Sequence, residues 1–124
     1  MTSWDVSHPP PADGRTVLVT GGNAGIGYFA AEQLAGAGAT VVLGCRSADR
    51  AAAAMTAIRS RHPQASLRHL PLDLADLASL KESADRLDTE LDAVVLNAGM
   101  LVEGSDPDER TFAEIGRASC RERV

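Results

Sequence analysis

Three runs of aliphatic residues, Val17-Leu18-Val19, Val41-Val42-Leu43 and Val94-Val95-Leu96, are continuous rather than alternating. A strand with one wet face alternates apolar and polar side chains. An unbroken run therefore belongs to a strand covered on both faces, as in a parallel sheet with helices above and below. A weaker run, Ser66 to Leu70, falls between the second and the last. Strands over Thr16–Thr20, Thr40–Gly44, Ser66–Leu70 and Asp92–Asn97 then begin at roughly 25-residue intervals, which leaves room for one crossover helix in each gap.

The gaps carry helical periodicity. Tyr28 to Ala37 reads as a first helix with Ile26, Phe29, Ala30 and Leu34 on its apolar stripe, Tyr28 off that stripe, and Gly38 as its stop. A second helix runs from about Ala48 to Ser60, with Ser47 as cap and Pro63 beyond its end. It turns Ala51, Ala54, Met55 and Ile58 inward and Arg50, Arg59 and Arg61 outward. A third places Leu77, Leu80, Ala84, Leu87 and Leu91 on one face. Right-handed crossovers turn this β-α-β-α-β-α-β order into an α/β fold, the front half of a Rossmann-type doubly wound parallel sheet.

The length of 124 residues allows one domain, and 44% apolar with 23% charged residues is enough to bury a core. Aromatics are confined to Trp4, Tyr28, Phe29 and Phe112, so packing rests on Ala, Val and Leu. A net charge of −5 argues against nucleic acid as a main partner. Cys45 and Cys120 make no disulfide framework, and the three histidines, His8, His62 and His69, are not at metal-ligand spacing. With no signal-peptide pattern and no apolar run near the roughly 18 residues a membrane helix needs, the expectation is a cytoplasmic protein away from membranes. Residues 1–14, with Pro9-Pro10-Pro11, read as a flexible leader in which Trp4 is loose.

Between the first strand and first helix lies Thr20-Gly21-Gly22-Asn23-Ala24-Gly25-Ile26-Gly27. Strand, glycine turn and helix together make a phosphate cradle. Gly21 suits the tight turn, Gly25 leaves room for a pyrophosphate against backbone, and Gly27 or Ala30 lets the helix lie close to the strand. The helix N-terminus adds unpaired N–H groups, and no Asp or Glu lies between Arg15 and Ala31 to repel an anion. A triphosphate-binding loop is excluded, because Tyr28 and Phe29 stand where Lys and Ser or Thr are needed. The site is one for a dinucleotide. Past the second strand, about 20 residues on, stands Cys45-Arg46-Ser47. A carboxylate there would hold both ribose hydroxyls, whereas Arg46 suits a 2′-phosphate, so NADP(H) is favoured over NAD(H).

The spacing T-G-x-x-x-G-I-G resembles the cofactor motif of the short-chain dehydrogenase/reductase family. The resemblance marks Gly21, Asn23, Gly25, Ile26 and Gly27 as cofactor-binding and covers about Arg15 to Glu114. It implies that Asp73 bonds the adenine amino group, with Leu74 giving a backbone contact; a simple helix cap is the other reading of Asp73. Asn97-Ala98-Gly99 is similar to the family's N-N-A-G motif with Leu96 in the first Asn place. That match implies an Asn that holds the central sheet and a small pair against the cofactor ribose. Family members transfer hydride to or from a carbonyl or alcohol substrate, using a Tyr, a Lys four residues later, a Ser and an Asn. The single Tyr and single Lys here, Tyr28 and Lys81, are 53 positions apart, so the catalytic pair is missing from this chain. The resemblance also implies a parent able to form a homo-oligomer. The rival reading is a non-catalytic dinucleotide-binding regulator or redox sensor.

Residues 115–124 carry neither helical nor strand periodicity and switch an acidic stretch to a basic one. They resemble the in-frame translation of a sequencing adapter and are expected to be non-native; a natural basic tail is the competing reading. The expected domain is 15–114, with its fourth strand an apolar edge. On its own it is expected to be poorly soluble and a weak cofactor binder.

Overall fold

The computed structural model describes Asp5 and residues 7–99. Trp4 and the expected non-native tail lie outside these residues. Seven elements follow in order: β1 (Thr16–Thr20), α1 (Gly25–Gly36), β2 (Thr40–Cys45), α2 (Ala48–Arg61), β3 (Ser66–Pro71), α3 (Leu77–Arg86) and β4 (Ala93–Val95). The strands form one parallel sheet in the order β3-β2-β1-β4, with Leu18 opposite Val42 on one side and Val94 on the other. This is the doubly wound α/β architecture expected from the unbroken apolar runs.

Alternate residues of each run enter different layers. Val17, Val19, Val41, Leu43 and Leu67 meet Ala31 and Ala35 of α1 and Ala54 and Ile58 of α2. Leu18, Val42 and Leu70 point to the other face, where Leu87 and Leu91 pack on them. The chain steps outward from β1 to β3, then returns past β1 to β4. With right-handed crossovers that reversal moves the connection to the opposite face. Both faces of β1 and β2 are covered, whereas β4 is exposed at Ala93 and Val94.

Helix α1 departs from its expected stripe. Ile26 and Phe29 are 81% and 61% exposed, while Gly27, Ala31, Glu32 and Ala35 are buried and Tyr28 packs against the core. The helix also begins three residues earlier than expected, with Tyr28 N–H donating to Ala24 C=O at 3.2 Å. The cause is distance. The helix crosses the turn so closely that small residues, rather than the largest apolar ones, form the contact face. Glu32 is carried inward with them; its Oε1 accepts from Arg61 Nη1 of α2 at 3.1 Å, and its Oε2 is buried without a hydrogen-bond partner.

Helix α2 follows its pattern, with Ala51, Ala54 and Ile58 buried and Ser47 Oγ accepting from Arg50 N–H at 3.2 Å. Helix α3 does not, because Leu77 is 69% exposed, Ala84 is exposed and Ser83 is buried with its hydroxyl on Pro71 C=O. Leu87 and Leu91 reach the core only after α3 has ended, since Leu87 is already extended. β4 is shorter than the expected Asp92–Asn97. At its start Asp92 Oδ2 accepts from Thr16 N–H at 2.7 Å, and at its end the N–H groups of Asn97 and Ala98 turn to the Thr20 hydroxyl instead of continuing the ladder. At the entry to the sheet, Ala12 N–H donates to Ala37 C=O at 2.8 Å, so the last part of the expected leader lies against the end of α1.

Candidate nucleotide-binding cleft

An open parallel sheet leaves a crevice where the chain reverses direction, outside the carboxyl ends of the strands on either side. Here that place is the β1/β4 boundary. Thr20 closes it at the bottom: its hydroxyl oxygen accepts from Asn97 N–H at 3.0 Å and Ala98 N–H at 3.1 Å, and its O–H reaches Val95 C=O at 3.4 Å. Asn97 Nδ2 donates to Thr20 C=O at 3.4 Å. Asn97 thus ties β4 to β1, the sheet-holding part expected of it. The partner Thr20, only 4% exposed, received no role from the sequence although it opens the glycine motif.

The glycine turn rises from that floor. Gly21 has φ +68°, and a Cβ on it would stand 3.0 Å from Ala98 Cα, so both conformation and space require glycine. At Gly27 the limit is space, because a Cβ would meet the Gly21 carbonyl oxygen and stand 2.5 Å from Asn97 Nδ2. Gly25, with φ +58°, differs from both, since nothing lies within 4 Å of where its Cβ would be. The space in front of Gly25 is open. Ala24, the N-cap of α1, offers no side-chain hydrogen bond, whereas α2 and α3 are capped by Ser47 and Asp76. The first-turn N–H groups of α1 are therefore free for an anion, and no acidic side chain lies in that turn.

A cleft of about 730 Å³ extends from the turn across the ends of β2 and β3. Gly21, Asn23, Arg46, Asp73, Leu74, Ala98 and Gly99 of the sequence-expected site line it, joined by Gly44, Cys45, Ser47, Arg50, Leu72 and Ala75. Gly25, Ile26, Gly27 and Asn97 are not among its lining. Two of these four shape the turn and its floor, while Ile26 faces outward at 81% exposure. The cap reading of Asp73 is excluded for α3, because Asp76 Oδ1 accepts from Ala78 and Ser79 N–H. Asp73 Oδ1 accepts from Ala75 N–H at 3.0 Å, which steadies the loop, and the residue lines the cleft. Cys45 is buried, and desolvation pushes its thiol above the ordinary range against a smaller opposing effect of the Ser47 backbone. It is a packed wall rather than a nucleophile. A phosphate-bearing dinucleotide fits this donor set: a glycine cradle with open space before it, a free helix N-terminus and guanidinium groups at one end.

Comparison with known proteins agrees with this geometry. The family model described as short chain dehydrogenase matches residues 15–120. A short chain dehydrogenase/reductase of Gibberella zeae, dpfgH, is 43% identical over 120 residues, covering 89% of this chain. The chain spans 34% of that protein's length. Among solved structures, L-sorbose reductase from Gluconobacter frateurii, complexed with NADPH and L-sorbose, is similar at TM-score 0.69 and 25% identity, over 90% of this chain and 45% of that one. The NADP complex of RhlG from Pseudomonas aeruginosa is similar at TM-score 0.63 and 34% identity, over 73% and 36%. No helix among the described residues is long and apolar enough to cross a membrane.

Proposed function

The chain belongs to the short-chain dehydrogenase family, and from that premise we propose that it is the cofactor-binding front of a cytoplasmic oxidoreductase that uses NADP(H) in preference to NAD(H). The complete protein transfers hydride to or from a carbonyl or alcohol substrate. The observation that supports this reading is the cleft beside the chain reversal, whose lining includes both the glycine turn at Gly21 and Arg46. The bound complexes of L-sorbose reductase and RhlG support a phosphorylated dinucleotide.

Residues 15–114 do this work, with 1–14 as leader and 115–124 outside the native domain. Gly21, Asn23, Gly25, Ile26 and Gly27 receive the pyrophosphate along the turn, whose N–H groups neutralise it without a lysine. Arg46 takes the 2′-phosphate, Asp73 the adenine amino group, and Leu74 offers backbone beside it. Asn97 keeps the floor rigid while Ala98 and Gly99 admit the ribose next to the nicotinamide. The cofactor, when bound, supplies or accepts the hydride. This chain's own part would be to hold the cofactor through the residues named above. Proton transfer belongs to a Tyr and Lys pair elsewhere in the complete protein.

Fluorescence titration with NADPH and NADH tests the reading. NADPH binds more tightly, and Arg46→Ala weakens it about tenfold while leaving NADH nearly unchanged, as expected for loss of one charge-assisted hydrogen bond. Equal affinity for both, or binding of neither, overturns the preference or the site. Sequencing the coding DNA through Phe112 and beyond decides catalysis, because a Tyr-x-x-x-Lys with an upstream Ser must follow in frame.

A further inference from the structure

Resting on that reading, we propose that His69 is a positioning residue for the adenosine end of the cleft, holding its two walls at a fixed spacing through the Cys45 carbonyl. The β2–β3 ladder ends with Cys45 opposite Pro71. Beyond that pair, Leu72 N–H donates to Cys45 C=O at 3.1 Å, and His69 Nε2 lies 2.9 Å from the same oxygen. A carbonyl only accepts, so Nε2 carries the proton and donates it. Both lone pairs of the Cys45 oxygen are thereby engaged, one by backbone and one by a side chain. Past this oxygen the two chains part and both line the cleft, with Arg46 and Ser47 on one side and Asp73, Leu74 and Ala75 on the other.

The alternation of the strand places His69 for this. It follows Leu67 by two positions, so both side chains leave β3 on the face that carries α2, where Leu67 belongs to the core around Ile58. His69 does not line the cleft; it acts through Cys45, which does. Leu72 N–H alone would satisfy the carbonyl, and what the imidazole adds is direction. One donor lets the peptide plane swing about a single bond, whereas two donors from different directions fix it. The next carbonyl along β3, that of Pro71, accepts from the Ser83 hydroxyl of α3, so the segment entering the Leu72–Ala75 wall is secured there as well. A wall set before a nucleotide arrives does not have to be ordered on binding, and the affinity is higher for it.

Ligand-observed NMR titration of the full chain with 5′-AMP tests the role, at low protein concentration so that weak binding is read without aggregation. His69→Leu is expected to weaken 5′-AMP about fivefold, the scale of one neutral hydrogen bond. His69→Gln carries its amide nitrogen as many bonds from Cβ as Nε2 and restores binding to within about twofold, while His69→Asn, one bond shorter, does not. Thr40→Val supplies the purely structural comparison, because Thr40 Oγ1 donates to Ser66 Oγ at 3.2 Å and joins the same two strands at their other end. It is expected to lower the midpoint of thermal unfolding as His69→Leu does, and to leave 5′-AMP binding unchanged. If His69→Leu binds like the wild type, or Thr40→Val loses affinity alongside it, His69 serves only the strand pair; the proposal falls and the cofactor reading stands. Equal binding by the Gln and Asn variants overturns it too, a comparison that holds even where His69→Leu does not fold. If the wild type does not bind 5′-AMP, the cofactor reading falls and takes this role with it.

Discussion

Gly25 and Gly27 stand two residues apart, and a methyl group added to each would act through a different physical cost. At Gly27 the new carbon meets the turn's own carbonyl and Asn97, the latter pinned by its hydrogen bonds to Thr20. Gly27→Ala is expected to destabilise the fold by about 2–3 kcal/mol. At Gly25 no atom is near, and the φ of +58° costs about 1–2 kcal/mol, partly offset by the lower entropy of an unfolded alanine. Gly25→Ala is therefore expected to fold nearly as well as the wild type and, on the proposed function, to lose most NADPH affinity, because the methyl would enter the open space proposed for pyrophosphate. Urea unfolding beside NADPH titration checks both; a Gly25→Ala protein that binds normally would remove Gly25 from the site. Cys45 gives a second residue-scale outcome. Its folded pKa lies above the unfolded one, so the folded state keeps the proton longer and stability declines as pH rises through the thiol range, while it is unaffected below. Alkylation of the Cys45 peptide, followed by mass spectrometry, should lag behind that of a free thiol up to alkaline pH. The glycines were legible because each serves local geometry. That Arg50 lines the cleft was not, because outward spacing on a helix does not tell which end of the molecule the outward face meets.

The three helices differ in how far periodicity describes them, and the reason is what each one touches. Helix α2 packs on the sheet through its alanine and isoleucine stripe, which is its buried face. Helix α1 presses on a turn, and there size outweighs hydrophobicity: Gly27 and Ala31 go in while Ile26 and Phe29 stay out. The same closeness buries Glu32, a residue no pattern of apolar spacing would place inside. Its side chain is 7% exposed, against 69% for its partner Arg61, and one carboxylate oxygen has no hydrogen bond. Removing the two partners is then unequal. Arg61→Ala leaves the buried carboxylate with only His62 Nε2, at 3.9 Å, beside it and is expected to cost about 1–2 kcal/mol, reduced by solvent at the exposed arginine. Glu32→Met removes the desolvated charge, frees a guanidinium that water already reaches, and is expected to be neutral or stabilising. Thermal unfolding of both variants checks the asymmetry; equal losses would mean that Glu32 gains as much from its burial as it pays in desolvation.

At the scale of the molecule, the fold followed from the apolar runs because a strand covered on both faces has few possible settings, and β1 and β2 are such strands while β4 is exposed. The strand order was less visible, since spacing along the chain does not reveal on which side of β1 the fourth strand returns. That return creates the cleft and, with it, an unbalanced sheet. Among the described residues β4 is an outer strand whose Val94 is 47% exposed, beside Leu96 at 52%. An apolar outer strand with free backbone groups recruits other strands, and a charge on such an edge opposes pairing. The chain is therefore expected to associate with rising concentration, and Val94→Lys to shift it toward monomer in sedimentation velocity. Because Val94 lies opposite Leu18 at the rim of the second core layer, that substitution is also expected to cost up to about 1 kcal/mol. Lower stability with less association is the signature of edge pairing, since association through unfolded chains would grow as stability fell. A Val94→Lys protein that is both less stable and more aggregated would place the cause in unfolding rather than in the edge.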